Sequence, residues 1–277
     1  MTKTARRFFV VTPVLNGATY LPAALASIDA QTCADWTHIV VDAGSADGTQ
    51  DIVRQSMQTE PRRRLIEGRD RGLYDGLFKG FGAIQTMGAA DRDICLWLNA
   101  DDCLAPWALA TMRLAFDMYG AEWVTGQPGR WDADGRLVLV ESRSWYPRWF
   151  IAHGWFNLRC LGAIQQESTF FSLSLLRRLT PGAVETIRGA RLAGDFLLWR
   201  EFARLSRLHV APTVIGGFRL HGGNMSIRNE QLYVDEAQKH GAFILPMALA
   251  RWIRFAYRIL AAISTVVKSR HPLTEKT

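Results

Sequence analysis

Within its first 119 residues the chain repeats one pattern: an apolar run of strand length, a loop rich in Asp, Asn, Ser and Gly, then a segment with helical spacing. The apolar runs lie at 8–14, 36–41, 64–66 and 93–98, and the helical segments at 20–32, 49–57, 73–87 and 107–119. Leu21, Leu25 and Ile28 give the first helix its apolar stripe, and Ser45 and Asp47 mark the start of the second. Strands that alternate with helices pair in parallel, because a parallel neighbour is reached only through a crossover. Helices then cover both faces of the sheet, so its strands read as continuous apolar runs. An α/β fold with a mostly parallel central sheet is the expectation.

Beyond residue 119 the pattern loosens. Strands are expected at 122–125, 137–140 and 214–220, a Trp-rich irregular stretch at 145–156, and a helix at 192–205. His221, Gly222, Gly223 and Asn224 form a loop before a polar helix that ends near 240. No internal repeat or low-complexity linker divides the chain.

The segment 246–268, wound at 100° per residue, separates into two sides. Arg251, Arg254, Arg258 and Lys268 fall on one, and Trp252, Phe255, Ile259, Ile263, Val266 and Val267 on the other. Three arginines inside the run argue against a spanning helix. Two readings stand: a helix lying in a membrane interface, or a helix packed on the protein's own core.

A net charge of +7 and a pI near 9.5 permit nucleic acid, an anionic membrane or phosphorylated ligands as partners. Much of the positive charge lies at 62–64 and in the final helix, so an arginine-and-aromatic nucleic-acid surface is not expected. The four cysteines, Cys33, Cys95, Cys103 and Cys160, form no CxxC pair and suggest neither a zinc cage nor a disulfide framework, which fits a reducing cytosol. The basic N-terminus runs straight into the first strand, so no signal peptide is expected.

In an open parallel sheet, ligands gather outside the carboxyl ends of the strands. Those ends carry Thr12, Pro13 and Asn16; Asp42, Gly44 and Ser45; Asp70 and Arg71; and Asp101 with Asp102. Three strand ends thus supply carboxylates, whose mutual repulsion calls for a cation. Adjacent acids after a buried strand suit a hard ion, Mn²⁺ or Mg²⁺, which leaves positions for water and a diphosphate. An Asp-Asp pair alone reads more readily as a solvated turn or a helix cap before Pro106, and its place at the end of the fourth strand is what points to a metal.

The stretches VTPVLNGATYLPAALASIDAQT, HIVVDAGSADGTQDIV, DRGLYDGLFKG and LWLNADD, in this order, resemble family-two inverting glycosyltransferases of the GT-A fold. The likeness is greatest to the bacterial branch that builds exopolysaccharide and lipid-linked oligosaccharides. It is strong from Phe8 to Asp102 and looser in QQESTFF, AGDFLLWRE and FRLHGGNMS. The resemblance implies a Rossmann-like domain over 1–245, with a nucleotide-binding half over about 1–125 and an acceptor-binding half over about 126–245. The amphipathic helix and tail occupy 246–277.

Carried onto these residues, the resemblance places Thr12, Pro13 and Asn16 at the nucleotide and makes Asp42 the acceptor of a base hydrogen bond. Asp70 and Arg71 close over the nucleotide. Asp101 and Asp102 are the acidic metal motif, with Asp102 the first choice as ligand and His221 a further candidate for metal or diphosphate. Asp195 matches the family's general base, although it also suits a helix cap. Glu167 is the reserve candidate. Arg219 suits a phosphate or a salt bridge. Tyr74 is intact in its motif, and Asp75 reads either as a sugar ligand or as a helix-surface acid.

Three positions depart from the pattern: Ala43 follows Asp42, Phe78 replaces a common Asn, and Gly194 replaces the Glu that usually precedes the base. The expected reaction is transfer from a nucleoside diphosphate sugar, UDP by default, to a glycan or lipid-linked hydroxyl, peripherally at the inner face of the cell membrane. The competing reading is a non-catalytic nucleotide-sugar binder or scaffold of the same fold.

Overall fold

A computed structural model describes residues 5–143 and 145–269. β1 (Phe8–Val14), α1 (Leu21–Asp29), β2 (Trp36–Asp42), α2 (Thr49–Thr59), β3 (Arg63–Glu67), α3 (Leu73–Thr86) and β4 (Ile94–Trp97) alternate as expected. β5 (Cys103–Leu104), α4 (Ala108–Tyr119), β6 (Trp123–Trp131), β7 (Leu137–Val140) and α5 (Arg148–Ala152) follow. A 3₁₀ turn at Gln166–Ser168 leads into β8 (Thr169–Ser172), α6 (Leu173–Arg177) and α7 (Pro181–Arg188). The described chain ends with α8 (Gly194–Leu205), β9 (Leu208–Arg219), α9 (Met225–Arg228), α10 (Glu230–Lys239) and α11 (Met247–Ser269).

The strands form one sheet in the order β3-β2-β1-β4-β8-β6-β9-β5, with β7 paired to β6. β1 to β4 pair in parallel. β8 runs antiparallel to both β4 and β6, and β9 pairs parallel to β6 and antiparallel to β5. The sheet is therefore mixed beyond β4, because β8 enters from the opposite direction.

Alternate residues of each strand feed different cores. Phe9, Val11, Cys95, Trp97, Trp123 and Phe171 pack on one face, with α3 and α8; Phe8, Val10, Ile94, Leu96, Val124 and Phe170 pack on the other, with α1 and α4. Both faces being covered explains the unbroken apolar runs. The approach of α3 is close: a β-carbon at Gly80 would lie 2.3 Å from Val11 Cγ1. At the edge of the core, Thr12 Oγ1 meets His38 Nε2 at 2.9 Å, and fully buried Arg63 joins His38 Nδ1 to Asp29.

The Trp-rich stretch is more regular than expected, since it contains α5 and a stack of Phe150, Trp155 and Phe243 rings. β8, α6 and α7 lie in a region for which local spacing suggested no element, and β9 is longer than the expected strand at 214–220. On α11, Ala250, Tyr257 and Ala261 are buried, while Arg254 donates to the carbonyls of Cys160 and Leu158. Trp252, Phe255 and Ile259 stay exposed. The expected apolar positions Ile263, Val266 and Val267 and the basic Lys268 have side chains outside the described residues, as does the tail at 270–277. Among the described residues no helix is long and apolar enough to cross a membrane.

Candidate active site

β4 is followed by Asn99, Ala100, Asp101 and Asp102, and two later segments return to this point. β8 is antiparallel to β4, so the turn before it delivers Glu167 to the carboxyl end of β4. β9 is antiparallel to β5, so its end delivers Arg219 and His221 to the same place. Asp102, wholly buried, accepts from the Arg219 N–H at 2.9 Å and from Asn99 Nδ2 at 3.1 Å. Burial and then the neighbouring carboxylates of Glu167 and Asp101 drive its carboxyl well above the usual range. Burial likewise raises Glu167.

Asp101 Oδ2 and His221 Nε2 are 3.0 Å apart. Gly223 N–H donates to His221 Nδ1, so Nε2 carries the hydrogen and donates to Asp101. Asn224 holds this loop by accepting from the His221 N–H and donating to the Arg219 carbonyl. The Tyr20 ring lies 4.2 Å from that of His221 and beneath the Arg219 guanidinium.

On the nucleotide side of the expected site, Asp42 is buried at the end of β2. It accepts from the Gly44 and Ser45 N–H groups, Ser45 Oγ and Gln50 Nε2. Burial opposes ionisation, but these donors outweigh it and hold the carboxyl below its ordinary value. Asn16, at φ 54°, bonds Ser45 Oγ through its N–H and Ala46 N–H through its side chain. The loop after β1 therefore joins Asp42 to the acid cluster: Asn16 touches the β2 loop, Gly17 packs against Ala100, and Tyr20 meets His221.

Pro13 is buried, and Thr12, wholly buried, turns its hydroxyl into the sheet, towards His38. Asp70 folds onto the start of α3 and accepts from the Gly72 N–H. Arg71 is exposed and pairs with Asp75 and Glu185. Asp75, nearly buried, is held by Arg188 at 2.6 Å, and the Arg71 N–H and the two guanidinium groups outweigh burial to keep its carboxyl low. Phe78 packs edge-on to Phe81, with ring centroids 5.6 Å apart.

Asp195 stands in the first turn of α8. Its Oδ1 is closed off from solvent and unpartnered, and burial pushes the carboxyl up to about 7, with Glu167 adding repulsion. Tyr74 donates to the Leu192 carbonyl just before this helix at 2.9 Å. Tyr20, Arg188 and Glu236 are partners that local sequence spacing did not single out, because each reaches the site from a distant segment, whereas Asn99 and Asn224 lie within five residues of the groups they hold.

Among the described residues no three metal-competent side chains stand in coordinating geometry. The donor set nevertheless fits a hard divalent ion. Asp101, Asp102 and Glu167 form a carboxylate cluster in which Asp102 is compensated by a backbone N–H and a side-chain amide, and Asn99 Oδ1 and Gln166 Oε1 are buried without partners.

Comparison with known proteins agrees with this architecture. A 101-residue segment is 38% identical to the "PGL/p-HBAD biosynthesis glycosyltransferase" of Mycobacterium tuberculosis, covering 36% of this chain and 37% of that protein. A 110-residue segment is 34% identical to the O-antigen biosynthesis protein RfbC of Myxococcus xanthus, covering 39% of this chain and 8% of that protein. The matches thus span little more than a third of the mycobacterial relatives.

Among solved structures, S. aureus TarS 1-349 in complex with UDP-GlcNAc superposes with a TM-score of 0.61 at 14% identity, over 91% of this chain and 71% of TarS 1-349. The mannosyltransferase PcManGT of Pyrobaculum calidifontis, in complex with GDP-Man and Mn2+, gives 0.59 at 18% identity, over 98% of this chain and 77% of that one. At these identities the likeness establishes a common fold. The profile described as "Glycosyl transferase family 2" matches residues 9–174, more than half of the chain and the span that builds the acid-lined sheet edge. The chain therefore belongs to glycosyl transferase family 2 and has its GT-A fold.

Proposed function

We propose that the protein transfers a sugar, with inversion, from a nucleoside diphosphate donor, most readily a UDP-sugar, to a hydroxyl of a lipid-linked or polysaccharide glycan. The reading is carried by one observation: buried Asp102 and Glu167 form a carboxylate cluster with partly exposed Asp101, beside the loop that reaches Asp42.

Asp102 and Asp101, with His221 beside them, would hold Mn²⁺ or Mg²⁺, which when bound stabilises charge on the departing diphosphate. For His221 to join that ion, its Nε2 must release its hydrogen and its bond to Asp101. Asp195 takes the proton of the acceptor hydroxyl as that oxygen bonds the anomeric carbon and the carbon–diphosphate bond breaks. Its enclosed, unpartnered Oδ1 supports this role. Asp42, Asn16 and the backbone of Thr12 and Pro13 bind the nucleoside, Asp70 and Arg71 close over it, and Arg219 lies towards the diphosphate. Tyr74, Asp75 and Glu167 bound the sugar and acceptor side.

Peripheral attachment at the inner face of the cell membrane completes the reading. It is supported by an α11 that contains no acidic residue and exposes Trp252, Phe255 and Ile259.

A thermal-shift series with UDP-GlcNAc, UDP-glucose, dTDP-glucose and GDP-mannose, with and without Mn²⁺, tests the donor and the ion together. One donor is expected to raise Tm, and Mn²⁺ to enlarge the rise; no shift with any of them overturns the assignment. Release of labelled sugar from the stabilising donor separates an enzyme from a non-catalytic binder.

A further inference from the structure

The segment that leads into Asp195 is tied down by a carboxylate from another helix. Glu236, on α10, accepts the N–H of Arg191 on Oε1 at 2.8 Å, and those of Leu192 and Ala193 on Oε2 at 2.8 and 2.7 Å. These three donors immediately precede α8, where a helix has unpaired N–H groups and a positive dipole end. The other side of the segment is closed by Tyr74, whose hydroxyl donates to the Leu192 carbonyl and whose ring covers Gly194. Tyr233, one turn before Glu236 on α10, is buried next to Asp195.

We propose that Glu236 is a positioning residue for Asp195: its carboxylate fixes the backbone of 191–193, and through it the direction in which Asp195 presents its free Oδ1. This rests on Asp195 being the base. Three charge-assisted hydrogen bonds from successive amides hold a backbone more tightly than a side-chain cap with one. A general base displaced by a fraction of an ångström loses its line to the acceptor hydroxyl, while a nucleotide held at the sheet edge is unaffected.

The test uses the full chain with Glu236→Ala and Glu236→Gln. The second variant keeps shape and one oxygen, but sets an amide NH₂ against an N–H donor. Two readouts apply: hydrogen–deuterium exchange at residues 191–193, and turnover of UDP-GlcNAc and GDP-mannose with Mn²⁺, using whichever is the faster donor. Both variants are expected to speed exchange at 191–193. They should also lower kcat by about tenfold or more, with the donor KM within about twofold of wild type. Unchanged exchange, an unchanged kcat, or a donor KM that rises in step with the fall in kcat overturns the proposal.

Asp195→Asn is assayed alongside. Wild-type turnover there sinks the base assignment itself, whereas an inactive Asp195→Asn beside normal Glu236 variants sinks only the positioning role.

Discussion

The ring of Tyr74 lies flat against Gly194, so that a β-carbon on Gly194 would stand 2.6 Å from Tyr74 Cγ and 2.7 Å from both Cδ atoms. Gly194 occupies the position where the resemblance leads one to expect Glu, and here there is no room for a side chain. The Tyr74 ring, not a side chain at position 194, fills the space before Asp195.

Gly194→Ala is therefore expected to destabilise the fold by about 1–3 kcal/mol, the usual consequence of overpacking a filled site. The same substitution placed on Tyr74→Ala should be nearly neutral, because the obstructing ring is gone. Urea denaturation of the four proteins in the cycle measures the coupling, and equal costs in both backgrounds would show that Tyr74 is not the obstruction.

Asp195 links stability and activity to pH. Its carboxyl sits at about 7 in the folded chain, against an ordinary value near 3.8. The folded state thus holds a proton that the unfolded state has lost, so the stability from this group is fully present below about pH 4 and disappears as pH rises through about 7. Asp195→Asn should gain on wild type, in urea melts, between about pH 5 and pH 8. The wild-type transfer rate should rise over the same interval as the base ionises, and a rate that falls as pH rises through 7 excludes Asp195 as base.

Much of this site is written in local patterns. The strand ends carrying Asp42, Asp101 and Asp102 follow from unbroken apolar runs, because those runs are long, β-rich and stopped by polar residues. The placement of Glu167 is not local: it depends on β8 pairing antiparallel with β4, a partnership between residues more than seventy positions apart. His221 meets Asp101 only because β9 returns beside β5. Asp75 shows the opposite limit. Its motif is plain in the sequence, yet its environment is set by Arg188 on α7, 113 residues further along the chain.

That ion pair is itself testable. Asp75 is nearly buried and pairs with Arg188 at 2.6 Å and, more loosely, with exposed Arg71 at 3.3 Å. Arg188→Ala leaves the carboxylate with the weaker partner and should cost about 1–3 kcal/mol in thermal or urea melts. Arg71→Ala should leave both melts close to wild type, as the loss of an exposed pair does. Comparable losses in the two variants would mean that burial does not grade the two partners.

The last helix separates two surfaces that a helical projection alone merges. Ala250, Tyr257 and Ala261 are buried against the domain, with Tyr257 stacked on Trp145 at 5.7 Å, so part of α11 is committed to the protein's own core. Trp252 is 72% exposed and Phe255 59%, on the side flanked by Arg251 and Arg258. Replacing both aromatics with Ser should leave the melting temperature nearly unchanged. If this stripe enters a bilayer, where each aromatic is worth about 1.5–3 kcal/mol, cosedimentation with phosphatidylglycerol-containing vesicles should weaken at least about tenfold. Raising the salt should weaken it further, because Arg251 and Arg258 act on the lipid charge through solvent. Undiminished cosedimentation of the double variant would remove α11 as the membrane contact, and a large drop in Tm would show that the exposed stripe serves the fold instead.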